Sequence, residues 1–302
     1  MKPLRVALFV KGTPSGFERE MRNMGWWSYP VPEFTWQHFN LAGGRNEARS
    51  RFQNYDLIFL EDLSGNAGIL TGNGGPPVTY LSIDSTLSEK AYQDRLDKAR
   101  MADLILVDHD QPSRFRINGR RAKRLDYCIN DHVFKPLEKT LDMSFHCGSG
   151  SSRGQPGGTE RVELRQYLHE IHIGHGYSFR SGAMGLPEYA ESMGHSKVII
   201  NWPRVPGNRS HRVLDAMACR ACLVTGTIPN IPEDKLERDM HYIAFDKKEE
   251  LPYLLESLFA EDRWQEIADN GYKLVMENHT WAIRARELRE MLSRELGLLL
   301  TI

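Results

Sequence analysis

The chain has 302 residues, 40% apolar and 26% charged, with a formal net charge of −1. This is the composition of a globular protein long enough for two domains, and it excludes a disordered or low-complexity chain. Residues 1–140 carry 20 Lys+Arg against 17 Asp+Glu and the remainder 19 against 23, a balance too even to announce nucleic acid.

Short apolar runs alternate with longer helical patterns, which predicts parallel sheets built from βαβ units. The opening MKPLRVALFVKG reads as a first strand rather than a leader, because a Lys follows about six apolar residues. Strands are expected at 5–10, 55–61, 77–84, 102–108 and 122–129. None of these apolar runs approaches the length of a membrane span. Asp84 ends the third strand and is a candidate for binding an acceptor or acting as a base. Leu87 to Met101 reads as a helix capped by Thr86 or Ser85. Arg114 to Arg124 holds six basic residues and no acid. It suits a solvated turn or a landing strip for a polyanionic acceptor.

A break near residue 140 opens a second series, with strands expected at 143–148, 170–176, 197–202 and 222–226. Helices are expected at 159–169, 187–194, 210–220, 248–259, 261–277 and 280–296. The glycine-rich run GSGSSRGQPGG (148–158) can bring backbone N–H groups to a pyrophosphate, with Arg153 and Arg161 beside it, or can be a plain surface loop. His169, His172 and His175 recur every third residue; on a strand they would face opposite sides, which argues against a metal site. Four cysteines in a chain of this size point to a reducing, cytoplasmic setting. The C-x-x-C of Cys219 and Cys222 has no second pair and reads as two buried thiols.

The most informative stretch is NWPRVPGNRSHRVLDAMACRACLVTG, from Asn201 to Gly226. It reads as a buried strand, a Gly/Pro/Arg loop, a helix capped by Ser210 and a second buried strand. A helix amino end flanked by Arg204, Arg209 and Arg212 is suited to a phosphate, which guanidinium groups contact at two points. Asn208 lies in the same loop and joins the donor-binding candidates. Asp215, inside the helix, could accept the hydroxyls of a ribose. The alternative is an amphipathic crossover helix whose arginines are solvated.

VLDAMACRACLVTG resembles the LEAMACGxPVV signature of GT-B glycosyltransferases of the glycogen-synthase and mannosyltransferase type. With KVIINWP before it and ADNGYKLVMENHTWAIRARELREML after it, the segment is similar to the CgeB-like branch and its family 1-4 type C-terminal domain. The resemblance covers about residues 143–292, and CINDHVFKP resembles the linker of these enzymes. It implies an α/β fold of two Rossmann-like domains, 1–139 and 140–279, facing across a cleft, with the helix of 280–302 crossing back to the first. It implies sugar transfer from a nucleotide-sugar such as a UDP-sugar, retaining in outcome, with neither metal nor cofactor. Arg209 and Arg212 would stabilise the departing diphosphate, and Asp215 matches the ribose-holding second glutamate of the E-x7-E motif. Arg161 matches an arginine at its helix start, and Gly12 and Gly16 fit the glycine loop where sugar and acceptor meet. Gly207 stands where the first glutamate would be, and Arg220 where a helix-ending glycine would be.

Two rivals remain open in the sequence. Asp108-His-Asp110 after an apolar strand is how the GT-A class holds a divalent metal on a sugar pyrophosphate. A nucleotide-sugar epimerase or a non-catalytic binder would use a similar fold. The acceptor could equally be a polysaccharide, a protein, a lipid or a hydroxylated DNA base.

Overall fold

A computed structural model describes residues 2–10, 30–40, 47–61, 70–72, 74–82, 93, 95–96, 99–107, 116–117, 120–147, 158–203, 209–229 and 234–298. Gly12, Gly16, Asp84, Asp108, Asp110, Arg114, Arg153, Arg204, Gly207 and Asn208 lie outside the described residues.

Runs such as LRVALFV and LIFLE are apolar on both faces, the pattern of strands covered by helices on two sides. In the first unit they form β1 (Leu4–Val10), β2 (Phe34–Asn40), β3 (Leu57–Glu61), β4 (Val78–Ser82), β5 (Leu104–Val107) and β6 (Lys123–Arg124). All pair in parallel, in the order β6-β5-β4-β3-β1-β2. β2 is an edge strand not expected from the sequence; its aromatic residues pack Phe34 and Trp36 against Trp281, centroids 6.5 and 6.0 Å apart. The strand expected over 122–129 shrinks to two residues, because the ladder stops after the Leu125 N–H, which still reaches the Val107 carbonyl at 2.8 Å.

The second unit is built from β7 (Leu141–Phe145), β8 (Phe179–Ser181), β9 (Ser196–Asn201), β10 (Cys222–Gly226) and β11 (Ile243–Phe245), parallel in the order β8-β7-β9-β10-β11. Its helices are α1 (Gly158–His175), α2 (Leu186–His195), α3 (Arg212–Ala218), α4 (Leu251–Ala260) and α5 (Arg263–Asn278). Both sheets have the doubly wound order in which the first strand lies inside and the chain reverses direction beside it. Ligands of such sheets sit outside the carboxyl ends of the strands at that reversal.

The chain divides into two compact units: the described residues up to Tyr127 with those from Trp281 onward, and Cys128–Thr280. The last helix, α6 (Trp281–Leu296), belongs to the first unit. Trp281 is fully buried there, and the Arg289 guanidinium donates to the Glu33 and Lys2 carbonyls at 2.8 and 3.0 Å.

Of residues 170–176, expected as a strand, 170–175 are helical and Gly176, with φ 72°, follows the helix end. Leu164, Leu168 and Ile171 are buried at helical spacing, whereas Ile173 is 78% exposed. On this helix His169 and His172 share a face and lie against Phe179, centroids 5.0 and 6.2 Å away, and His175 stacks on Tyr177. Among the described residues no cluster of His, Cys, Asp and Glu is arranged to hold a metal.

α3 begins later than expected and is not capped by Ser210: its N-cap is His211, without a side-chain cap bond. It ends at Arg220, whose φ is 52°. Arg220 N–H reaches the Met217 carbonyl at 2.9 Å and Ala221 N–H the Ala216 carbonyl at 3.1 Å, the double closure of a Schellman motif. The arginine therefore accepts the left-handed conformation that a glycine would adopt freely. Its side chain pairs with Asp269 at 2.5 Å.

Candidate functional site

The carboxyl ends of β7, β9 and β10 carry the polar residues of the second unit. Asn201 ends β9; its Nδ2 donates to Thr225 Oγ1 of β10 at 2.9 Å, and its Oδ1 accepts from Ser210 Oγ at 3.3 Å. This relay fastens the start of α3 to two strand ends, which is the part Ser210 plays in place of a helix cap.

Of the arginines expected at a diphosphate, Arg209 is buried in an ion pair with Asp234, Nη1 to Oδ2 2.5 Å, with side chains 5% and 1% exposed. Arg161, in the first turn of α1, spends Nε and Nη2 on the Trp202 carbonyl at 3.0 and 2.7 Å, a fork that holds the backbone leaving β9. Arg212 is different: its Nε is buried with no hydrogen-bond partner among the described residues. Its charge is felt at Asp215, Tyr189 and His146.

Asp215 lies within α3 and is 1% exposed. Tyr189 Oη of α2 donates to its Oδ2 at 3.4 Å, and His211 Nε2 lies 4.0 Å away. Burial raises its carboxyl from the ordinary 3.8 to about 8, against the opposing pull of Arg212 and the Tyr189 hydroxyl.

Three neighbours were not singled out by sequence patterns: His146, Tyr189 and Arg180. His146 directly follows β7 and Arg180 lies in β8; neither belongs to a motif. The signal that could have found His146 is a polar residue ending the first apolar strand of a doubly wound sheet. Its ring meets Tyr189 edge-on, centroids 5.1 Å apart. Burial first, then the charge of Arg212, pushes its pKa down to about 4, so the ring is neutral at physiological pH.

A cavity of about 480 Å³ opens at the ends of β9, β10 and β11, walled by Trp202, Ile228, Phe245 and Asp246 and by none of Arg212, Asp215, Tyr189 or His146. Gly226 makes room for the indole: a Cβ there would meet Pro203 Cδ at 2.9 Å and the Trp202 ring at 3.1 Å. All four cysteines are buried and unbridged, and burial raises the Cys222 thiol to about 12.

In the basic stretch of the first unit, Arg116–Ile117 pairs antiparallel with Arg120–Arg121. Lys123 pairs with Glu295 at 3.2 Å and Arg124 with Asp126 at 2.7 Å, so two of its six cations already face acids. No helix among the described residues is long and apolar enough to cross a membrane.

A family model described as glycosyl transferase-like matches residues 133–290, just over half of the chain. No curated protein matches the sequence. Among solved structures, HepE of Anabaena in complex with UDP-glucose aligns with a TM-score of 0.61 at 12% identity, covering 96% of this chain and 100% of its own. Sucrose-phosphate synthase of Thermosynechococcus elongatus aligns at 0.59 and 12% identity, covering 98% and 100%. An α-glucosyltransferase in complex with UDP and a 13-mer DNA containing an HMU base aligns at 0.63 and 8% identity, covering 96% and 100%. At these identities the likeness is one of fold, the GT-B arrangement of two doubly wound units.

Proposed function

The chain belongs to the glycosyl transferase-like family, and from that premise we propose that it moves a sugar from a nucleoside-diphosphate donor to an acceptor hydroxyl. The observation that carries the donor assignment is Arg212, a guanidinium with an unpaired buried nitrogen at the carboxyl end of a doubly wound sheet. Buried donors without partners are rare and costly in a finished fold, and a phosphate oxygen is their natural complement.

In this reading the bond from the anomeric carbon to the diphosphate oxygen breaks and its electron pair leaves with the diphosphate. Arg212 stabilises that charge in a poorly solvated setting, where electrostatic help is worth most. Arg209 supports the same loop through Asp234, and Arg161 holds the chain leaving β9. Asp215 takes the ribose hydroxyls. The acceptor hydroxyl attacks the anomeric carbon from the side of the leaving group and gives its proton to the departing diphosphate oxygen, with retention of configuration and with no metal. UDP-glucose, the ligand in the HepE structure, heads the donors to be tried. The acceptor class is open to a polyanion through the exposed Arg121 and its neighbours.

The test is a thermal-shift screen of UDP-, GDP-, ADP- and TDP-sugars, since a ligand at a hundred times its Kd adds about 2.7 kcal/mol. One of them should raise the unfolding temperature, and Arg212→Gln should weaken that donor roughly ten- to hundredfold, as expected for a hydrogen bond to a charged group. Donor affinity that survives Arg212→Gln would remove the assignment. Product analysis with labelled donor and added EDTA then tests transfer and metal independence.

A further inference from the structure

β7 alternates its side chains between two layers. Met143, Phe145 and Cys147 join the apolar core with Leu164, Leu168 and Ile171 of α1. Ser144 and His146 face the other way, where Ser144 accepts a hydrogen bond from Ser196 at 2.8 Å and His146 meets Tyr189 of α2. Arg180 of β8 is paired in register with Ser144, so it shares this second face.

His146 is 6% exposed, yet neither ring nitrogen closes a hydrogen bond of good geometry among the described residues. Of those residues, only the Gly182 backbone comes within weak hydrogen-bonding reach of the ring. The charged and titratable groups that act on it are Arg212 of α3 and Arg180 of β8, both cationic. Tyr189 on α2 faces it as a ring, and the Tyr189 hydroxyl is engaged by Asp215. A buried, neutral imidazole whose ring nitrogens close no hydrogen bond of good geometry among the described residues, and which feels two guanidinium charges at the strand reversal, lacks one thing: an oxygen carrying negative charge.

We infer that His146 is a donor-binding residue, which gives a ring N–H to an oxygen of the nucleotide diphosphate held by Arg212, with the Arg180 charge also acting there. The inference rests on the donor reading above and extends it to two residues outside the arginine loop. A neutral imidazole is well matched to this position. It donates one hydrogen bond without adding a third positive charge to a site that must form before the ligand arrives.

The experiment compares wild type, His146→Phe and His146→Gln by calorimetric titration with UDP, GDP, ADP and TDP, together with thermal unfolding. Phenylalanine keeps the edge-on packing against Tyr189 and removes two unsatisfied polar atoms. It should leave the fold equally or more stable while weakening the best-bound nucleotide about tenfold. Glutamine keeps an N–H and should recover part of that loss. A His146→Phe protein that binds the nucleotide like wild type overturns the inference and leaves the donor reading standing. Loss of stability with unchanged affinity likewise marks His146 as packing only. If wild type binds none of the four nucleotides, both readings fall together.

Discussion

Replacing Asp215 by Asn separates what this residue costs the fold from what it does for a ligand. The carboxyl is 1% exposed and its pKa rises from 3.8 to about 8, chiefly through burial. A group whose pKa is raised by folding adds stability below its unfolded value and loses it as the pH climbs through its folded value. The window here runs from about pH 4 to about pH 8, at no more than ~1.4 kcal/mol per pH unit. About three pH units are crossed by pH 7, a ceiling of ~4 kcal/mol. Asparagine keeps a carbonyl for the Tyr189 hydroxyl but must house an amide, so roughly half of that, ~2 kcal/mol, should survive as a gain. Urea unfolding at pH 4.5, 6 and 7.5 should show Asp215→Asn below wild type at the acid end and overtaking it progressively toward pH 7.5. At pH 7 the unfolding temperature should rise by about 4–8 °C. A difference independent of pH would refute the reasoning. On the same samples the best-bound nucleotide should bind more weakly to the variant; equal affinity would free Asp215 from the ribose.

Three further outcomes follow from the packing. Arg209→Ala removes the buried cation that faces Asp234 at 2.5 Å and should cost about 3–5 kcal/mol in urea unfolding, so lost activity would reflect lost fold. Arg220→Gly relieves a left-handed conformation worth about 1 kcal/mol and gives up an exposed ion pair worth no more than about that. Its unfolding temperature should therefore stay level or rise slightly, where most glycine substitutions next to a helix lower it. Trp281→Ala empties the aromatic cluster with Phe34 and Trp36 and should cost about 3–5 kcal/mol, with limited proteolysis attacking the first unit before the second.

The inner strands were legible because burial on both faces leaves an unmistakable apolar run, as in LIFLE, LILV and CLVTG. β2 was not, because FTWQHFN sits at a sheet edge, where alternate polar residues dilute the run. The end of α1 misled for another reason. Ile171 and Ile173 imitate a two-residue period, yet the longer span from Leu164 to Ile171 fixes a helix, and Ile173 is left in solvent. At the site, the Asn201–Gly226 segment could be recognised because a loop, a helix and two strands are contiguous there. His146 and Arg180 could not, because only the pairing of β7 with β8 brings them beside α3. The sequence likewise offers Arg209 and Arg212 as equals. It takes Asp234, 25 residues further on, to engage one of them and leave the other available.

The membership of α6 in the first unit reverses the usual order of events on the ribosome. Domains ordinarily finish folding as they emerge, leading end first. Here the leading unit lacks Trp281, Leu288 and Leu292, all fully buried, until the residues of the trailing unit have been made. The described residues of the trailing unit, Cys128–Thr280, are contiguous in the chain and can close before the leading unit does. While the chain emerges, a finished second half would thus be joined to an open first sheet with its aromatic face bare until the residues after Thr280 follow, the moment when this chain most needs a chaperone.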